Sequence, residues 1–198
     1  MNILIVTGHP KKDSHTPIIA STYKKEAESL GHVVKTLDVY AQEYVLPYMD
    51  FVKDSLDMTD QKKIKAMQGM VLWAHEIVIV HPVWWGAMPA GLKNWMDAIF
   101  VPRFAYKYNT KGKAESMLDG KIAKVFATAG SFAPYYRIPL IKTFTPLHVI
   151  WKYALLGFCG IELIEMHVRD RMNTNNSCPA EGCFEAFLED IKKSAKRH

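Results

Sequence analysis

IVIVHPVWWGAMPAGLKNWMDAIF, residues Ile77 to Phe100, reads as a buried strand, an aromatic loop and an amphipathic helix in direct succession. Ile77–Val80 is almost purely β-branched, as expected of a parallel strand covered by helices on both faces. Pro82 ends it. Pro89 is available for the first turn of the next helix, where a missing N–H does no harm, and Leu92, Trp95, Met96, Ile99 and Phe100 recur at helical spacing. Between strand and helix stands Val83-Trp84-Trp85-Gly86. Two adjacent indoles at the carboxyl end of a strand can form a wall for a flat ring, or can plug the core between helix and sheet. Both readings are open from these residues alone.

The same grammar extends along the chain. Asn2–Thr7 is a strand around ILIV, followed by a polar loop Gly8–Ser14 and a helix to about Leu30, capped by Ser14 or Thr16-Pro17 and stopped by Gly31. Its inward residues are Ile19, Tyr23, Ala27 and Leu30. His32–Val39 is the second strand. Thr59 is a plausible cap for a helix with Ile64, Met67, Val71 and Leu72 on its apolar face. After the Ile77 strand and its helix, Val101–Gly120 shows no clear period and reads as a long surface loop. Lys121–Thr128 is the fourth strand and Ala129–Thr143 a second long loop. Thr145-Pro146 opens a helix to about Leu156, Ile161–Val168 is the fifth strand, and Pro179–Lys196 is a closing helix with Phe184, Phe187, Leu188 and Ile191 inward. Five strands alternating with five helices predict an α/β, doubly wound parallel sheet with right-handed crossovers, in one domain spanning 1–198.

Composition bounds the function. The chain has 198 residues, 49% hydrophobic and 23% charged, as in an ordinary globular domain. Its most apolar candidate span, Phe144–Met166, carries His148, Lys152, Glu162 and Glu165, which argues against membrane insertion. Ile3–Val6 is too short for a secretory core, so the cytoplasm is the expected location. Cys159, Cys178 and Cys183 form too sparse a set for a disulfide framework, and C-x4-C without a second pair or His-x-x-x-His is weak for zinc; reduced thiols and no metal are expected. The net charge of +5 is spread over Lys11-Lys12, Lys62-Lys63 and the tail Lys192–His198. That is a solvated surface rather than a nucleic-acid footprint.

A doubly wound sheet binds its ligand beyond the carboxyl ends of its strands, where strand order reverses. Gly8–Thr16, Pro82–Met88 and Ala129–Tyr136 meet that rule. The first precedes a helix, so its N–H groups, with the hydroxyls of Ser14 and Thr16, suit a phosphate. Neither G-x-G-x-x-G nor G-x-x-x-x-G-K-[ST] is present, which disfavours a classical dinucleotide fold or a P-loop. His9 is either a donor to that phosphate or a loop brace. Thr128-Ala129-Gly130-Ser131 lets backbone donors approach a polar ring edge, and Tyr135 and Tyr136 follow with an aromatic face and a hydroxyl.

Taken together, ILIVTGHP with Ser14, the HPVWWGAMPAGLKNWMDAIF unit, Phe104-Ala105-Tyr106-Lys107-Tyr108, Thr128-Ala129-Gly130-Ser131 with Tyr135, and Gly157-Phe158-Cys159-Gly160 resemble the NAD(P)H:quinone oxidoreductase family of flavodoxin-like flavoproteins. The resemblance covers most of the chain. It implies strand order 2-1-3-4-5 and a tightly bound flavin, with FAD expected ahead of FMN. His9, Ser14, His15 and Thr16 match positions that hold the phosphate-bearing tail; Pro82, Val83, Trp84, Trp85, Thr128, Ala129, Gly130 and Ser131 match those that grip the isoalloxazine. Tyr106, Tyr108 and Tyr135 match the lining of the nicotinamide and quinone pocket, with Tyr135 and Trp84 closest to the chemistry. The implied reaction is ping-pong: NAD(P)H reduces the flavin, leaves, and a quinone takes two electrons in the same pocket. The implied assembly is a homodimer with the pocket at the subunit interface, so that Tyr106 and Tyr108 serve the neighbouring flavin.

Two positions depart from the pattern. Thr16 stands where asparagine is common. Arg137-Ile138-Pro139-Leu140-Ile141 stands where mammalian members carry a histidine, so a histidine proton relay does not transfer; His148 is assigned to the following helix. Rival readings are a flavodoxin-type electron carrier, disfavoured by the basic pI and long aromatic loops, a regulatory flavoprotein bound to a membrane transporter, and an azo- or nitro-reductase on the same fold.

Overall fold

The computed structural model describes residues 1–48, 58–130, 145–172 and 182–197. Strands β1 (Asn2–Thr7), β2 (Val33–Asp38), β3 (Glu76–Pro82), β6 (Ile122–Thr128) and β7 (Glu162–Arg169) form one parallel sheet in the order β2-β1-β3-β6-β7. This is the order expected from the resemblance, 2-1-3-4-5 in sheet strands. Helices α1 (His15–Ser29) and α5 (Cys183–Ala195) cover one face. The other is covered by α2 (Met58–Trp73), α3 (Ala90–Ile99) and α4, which starts at Pro146–Val149, continues as a π-helix over Ile150–Leu156 and closes in a 3₁₀ turn, Gly157–Cys159.

The strand pleat sorts the apolar residues into two cores. Ile3 and Ile5 of β1, with Val78 and Val80 of β3, meet Ile19, Tyr23 and Ala27 of α1 and Phe187 and Ile191 of α5. Leu4, Val6, Ile77 and Ile79 point the other way, onto Met67, Leu92, Trp95, Ile99 and Trp151. Both faces of β1 and β3 are therefore buried, which is why Ile3–Val6 and Ile77–Val80 read as unbroken apolar runs.

Several expectations need correction. Val101–Gly120 is not a plain loop: Tyr106–Tyr108 (β4) and Ala114–Ser116 (β5) pair as an antiparallel hairpin. Pro89 precedes α3 as its N-cap instead of lying in the first turn. In its place Tyr40 serves the helix start, its hydroxyl accepting from the Gly91 N–H at 3.2 Å. Thr59 lies inside α2 rather than capping it, and Leu30 and Leu72 face solvent. Cys183 is disulfide-bonded, against the expectation of reduced thiols, while Cys159 is a free, buried thiol whose pKa burial pushes up to about 11. The basic tail is solvated, as expected: Lys192, Lys193, Lys196 and Arg197 form surface pairs with Glu189, Asp190, Glu26 and Glu165. No helix among the described residues is long and apolar enough to cross a membrane.

Candidate functional site

The register of the sheet brings three loops to one place. Thr7 pairs with Val80, Pro82 with Thr128, and Thr128 with Arg169, so β1, β3, β6 and β7 end together. Sheet order reverses between β1 and β3, and there the Gly8 N–H donates to the Val80 carbonyl at 2.9 Å. A cavity of about 670 Å³ opens above this point. It is lined by His9, Lys11, Asp13, Ser14, His15 and Thr16 on one side, and by Pro82, Val83, Trp84, Trp85, Thr128, Gly130 and Met172 on the other.

The first side is built for an anion. No side chain caps α1, because the Ser14 hydroxyl turns back and donates to the Lys11 carbonyl at 2.9 Å. The positive end of the helix dipole therefore faces the cavity with Ser14 and Thr16 beside it and no acidic residue in its first turn. His9 accepts from the Lys11 N–H at its Nδ1, 2.9 Å away, so its neutral ring carries a proton on Nε2. Burial lowers the pKa of both His9 and His15. His15 is braced edge-on by Phe184 of α5, ring centroids 4.7 Å apart.

The second side is aromatic. Trp84 and Ala87 form a two-residue hairpin whose central residues, Trp85 and Gly86, have φ of 52° and 76°. Positive φ at both positions marks a type I′ turn, natural for Gly86 and strained for Trp85. The Trp84 side chain is 43% exposed and packs edge-on to His9 at 5.8 Å, while Trp85 is fully exposed at 104%. The core-plug reading of the two indoles is thereby excluded. Trp95 and Ile99 are core, and Phe100 packs half-buried against it.

Most of the residues singled out from sequence meet at this cavity: His9, Ser14, His15, Thr16, Pro82, Val83, Trp84, Trp85, Thr128 and Gly130. Ala129 does not line it. Its N–H donates to the Arg169 carbonyl at 2.7 Å, and its carbonyl accepts from Met172 at 2.8 Å, so it ties the loop to the end of β7 instead of offering a donor to a ring. The Val83 and Trp84 N–H groups are likewise engaged, by the Thr128 and Ala87 carbonyls. Tyr106 and Tyr108 sit away from the cavity on β4. Tyr106 packs edge-on to Phe158 at 4.8 Å, its pKa raised by burial, and Tyr108 is 61% exposed. Ser131, Tyr135 and Tyr136 fall outside the described residues. Lys11, Asp13 and Met172 were missed. Lys11 and Asp13 had a signal in their place within the Gly8–Thr16 loop, but nothing local to Met172 marks it.

A family model described as a flavodoxin-like fold matches residues 1–194. Among curated relatives, an uncharacterised NAD(P)H oxidoreductase of Haemophilus influenzae is 27% identical, over 85% of this chain and 83% of its own length. An FMN-dependent NADH:quinone oxidoreductase of Caldicellulosiruptor saccharolyticus is 24% identical over 98% of both chains. Among solved structures, a putative quinone reductase from Klebsiella pneumoniae superposes with a TM-score of 0.79 at 22% identity, covering 99% of this chain and 84% of that one, a likeness of fold.

Proposed function

The chain belongs to the flavodoxin-like family, and from that membership and the cavity we propose that it is a flavin-dependent NAD(P)H:quinone oxidoreductase, a single flavin-binding domain over 1–198. The observation that carries the reading is the pairing, across one cavity, of an uncapped helix N-terminus with an exposed indole wall. The first suits a phosphate and the second a planar ring, and a flavin mononucleotide joins the two. FMN is preferred to the FAD expected from sequence, because relatives whose names specify a flavin name FMN.

Bound there, the flavin would supply the redox chemistry, passing two electrons from NAD(P)H to a quinone in successive half-reactions. The protein's part is placement. Ser14, Thr16 and the α1 N–H groups hold the phosphate, with His9 and His15 as neutral neighbours. Pro82, Val83 and Thr128 seat the ring, Gly130 keeps its approach clear of side chain, and Trp84 and Trp85 exclude water from one face. Ala129 acts through the loop it ties, and Ser131 and Tyr135, outside the described residues, keep the roles the resemblance implies, Tyr135 as the candidate to hydrogen-bond developing charge. Tyr106 and Tyr108, being remote from their own cavity, fit service to a second subunit's flavin in a homodimer. The reading places the enzyme in the cytoplasm.

The test is the visible spectrum of the purified protein with mass analysis of the released cofactor, followed by steady-state kinetics with NADH, NADPH, a quinone and an azo dye. Flavin absorption and parallel reciprocal plots with the quinone are expected. A colourless protein that takes up neither FMN nor FAD defeats the assignment, and intersecting plots defeat the shared pocket. Azo-dye turnover exceeding quinone turnover would move the substrate class.

A further inference from the structure

His81 is a polar residue in the most buried strand of the molecule, at the point where the strand hands over to the aromatic hairpin. All of β3 is buried, and His81 is fully so. An imidazole so placed is tolerated only when both nitrogens are paired. Its Nδ1 lies 2.8 Å from the Pro82 carbonyl, which can only accept, so Nδ1 carries the proton. Its Nε2 lies 3.2 Å from Trp151 Nε1, which can only donate, so Nε2 accepts. The two partners leave one tautomer and one ring orientation. Burial independently favours the neutral ring, with a pKa pushed down to about 4. The Trp151 ring packs against the imidazole at 5.5 Å, from a π-helical stretch, a local widening often found at functional sites.

The consequence lies in the next peptide unit. Its carbonyl, from Pro82, is held by His81; its N–H, from Val83, is held by the Thr128 carbonyl at 2.7 Å. Both ends of the Pro82–Val83 peptide plane are thus fixed, and the hairpin bearing Trp84 and Trp85 begins one residue later. We propose that His81, oriented by Trp151, is a positioning residue that locks this peptide plane and thereby sets the angle of the Trp84–Trp85 wall toward the planar ligand of the cavity. The ligand's identity as a flavin rests on the function proposed above; the lock itself does not.

Three variants test it: His81→Phe fills the space without a donor, His81→Asn restores a donor near Nδ1, and Trp151→Phe removes the orienting donor. In the ligand-free protein, nitrogen NMR of wild type should show a neutral ring protonated at Nδ1. Amide exchange at Val83 and Trp84 should be slow in wild type and His81→Asn, and at least tenfold faster in His81→Phe, with Trp151→Phe between. With FMN added, His81→Phe should bind about tenfold more weakly, the effect of one lost hydrogen bond, and shift the long-wavelength flavin band, while His81→Asn recovers to within about threefold. A proton on Nε2, unchanged exchange in every variant, or equal losses in the Phe and Asn variants would overturn the lock. If His81→Phe does not fold, the Trp151→Phe comparison decides by the same readouts. A wild type that shows the tautomer and the exchange pattern but binds no flavin refutes the enzyme assignment and leaves the lock standing.

Discussion

Trp84 and Ala87 exchange both backbone hydrogen bonds, at 2.9 and 3.0 Å, and so force Trp85 into a left-handed conformation with its indole wholly in solvent. A bulky residue at φ 52° costs roughly 1–2 kcal/mol, and nothing in the packing of this side chain offsets it. Asparagine visits that region readily. Trp85→Asn should therefore raise the stability measured by urea unfolding, by up to about 1 kcal/mol, while weakening FMN binding roughly tenfold through loss of a stacking face. A variant that loses stability and binds normally would show the indole to be structural.

Gly8 marks where the first loop crosses α3. A Cβ there would stand 2.9 Å from the Cβ and Cδ2 of Leu92, and a Cβ cannot swing aside as a side-chain tip can. Gly8→Ala should cost about 1–3 kcal/mol. In a Leu92→Gly background, which removes the opposing Cβ together with Cδ2, the added loss should shrink to well under half, giving a coupling energy that a double-mutant cycle reads directly. Additive losses would place the strain elsewhere.

What the sequence could and could not disclose follows from how each feature is encoded. The sheet was legible because β1 and β3 are buried on both faces and so advertise themselves as continuous apolar runs rich in Ile and Val. The helix-terminal loop and the indole wall were legible because each borders such a strand. The β4–β5 hairpin escaped because Tyr106–Tyr108 and Ala114–Ser116 are too short to establish an alternation. Met172 escaped because the Met172–Ala129 hydrogen bond joins segments far apart in the chain. The turn at Trp85 was hidden by the absence of glycine or asparagine at a position that normally demands one, and His81 by sitting inside an apolar strand.

Acid should destabilise the fold in two windows. His81 has its folded pKa depressed to about 4 from an ordinary 6.5, so between those values the unfolded chain takes up a proton that the native state refuses. Stability is full above about pH 6.5 and falls toward pH 4, by on the order of 3 kcal/mol from this group. His9 and His15, also lowered by burial, add to the same slope. Burial would raise the Glu165 carboxyl, but hydrogen bonds from His167 and Ser194 and the Arg197 charge outweigh it and hold it at about 2. Its contribution is present above about pH 4.5 and disappears toward pH 2. Urea midpoints taken across pH 3–8 should show the upper slope flatten in His81→Phe and remain in Glu165→Gln; an unchanged slope in His81→Phe would mean the imidazole titrates normally.

Lys124 is a fully buried ammonium on β6 that holds the end of α5 to the sheet. It lies 3.1 Å from the Glu76 carboxylate and donates to Tyr23 Oη at 2.9 Å and to the carbonyls of Ser194 and Arg197 at 2.8 and 2.5 Å. Tyr23 in turn donates to Glu76 at 2.6 Å. Lys124→Met leaves a buried carboxylate without its cation and takes the ammonium donor away from two carbonyls at the end of the helix, Ser194 keeping only the Arg197 N–H, so a loss of about 3–5 kcal/mol is expected by chemical denaturation. Adding Glu76→Gln removes the orphaned charge while keeping an acceptor for Tyr23. The double variant should regain more than half of the loss, the remainder belonging to the helix carbonyls. If Glu76→Gln gives no recovery, the ammonium acts chiefly as a helix cap, and early release of α5 in hydrogen exchange of the single variant would locate the effect there.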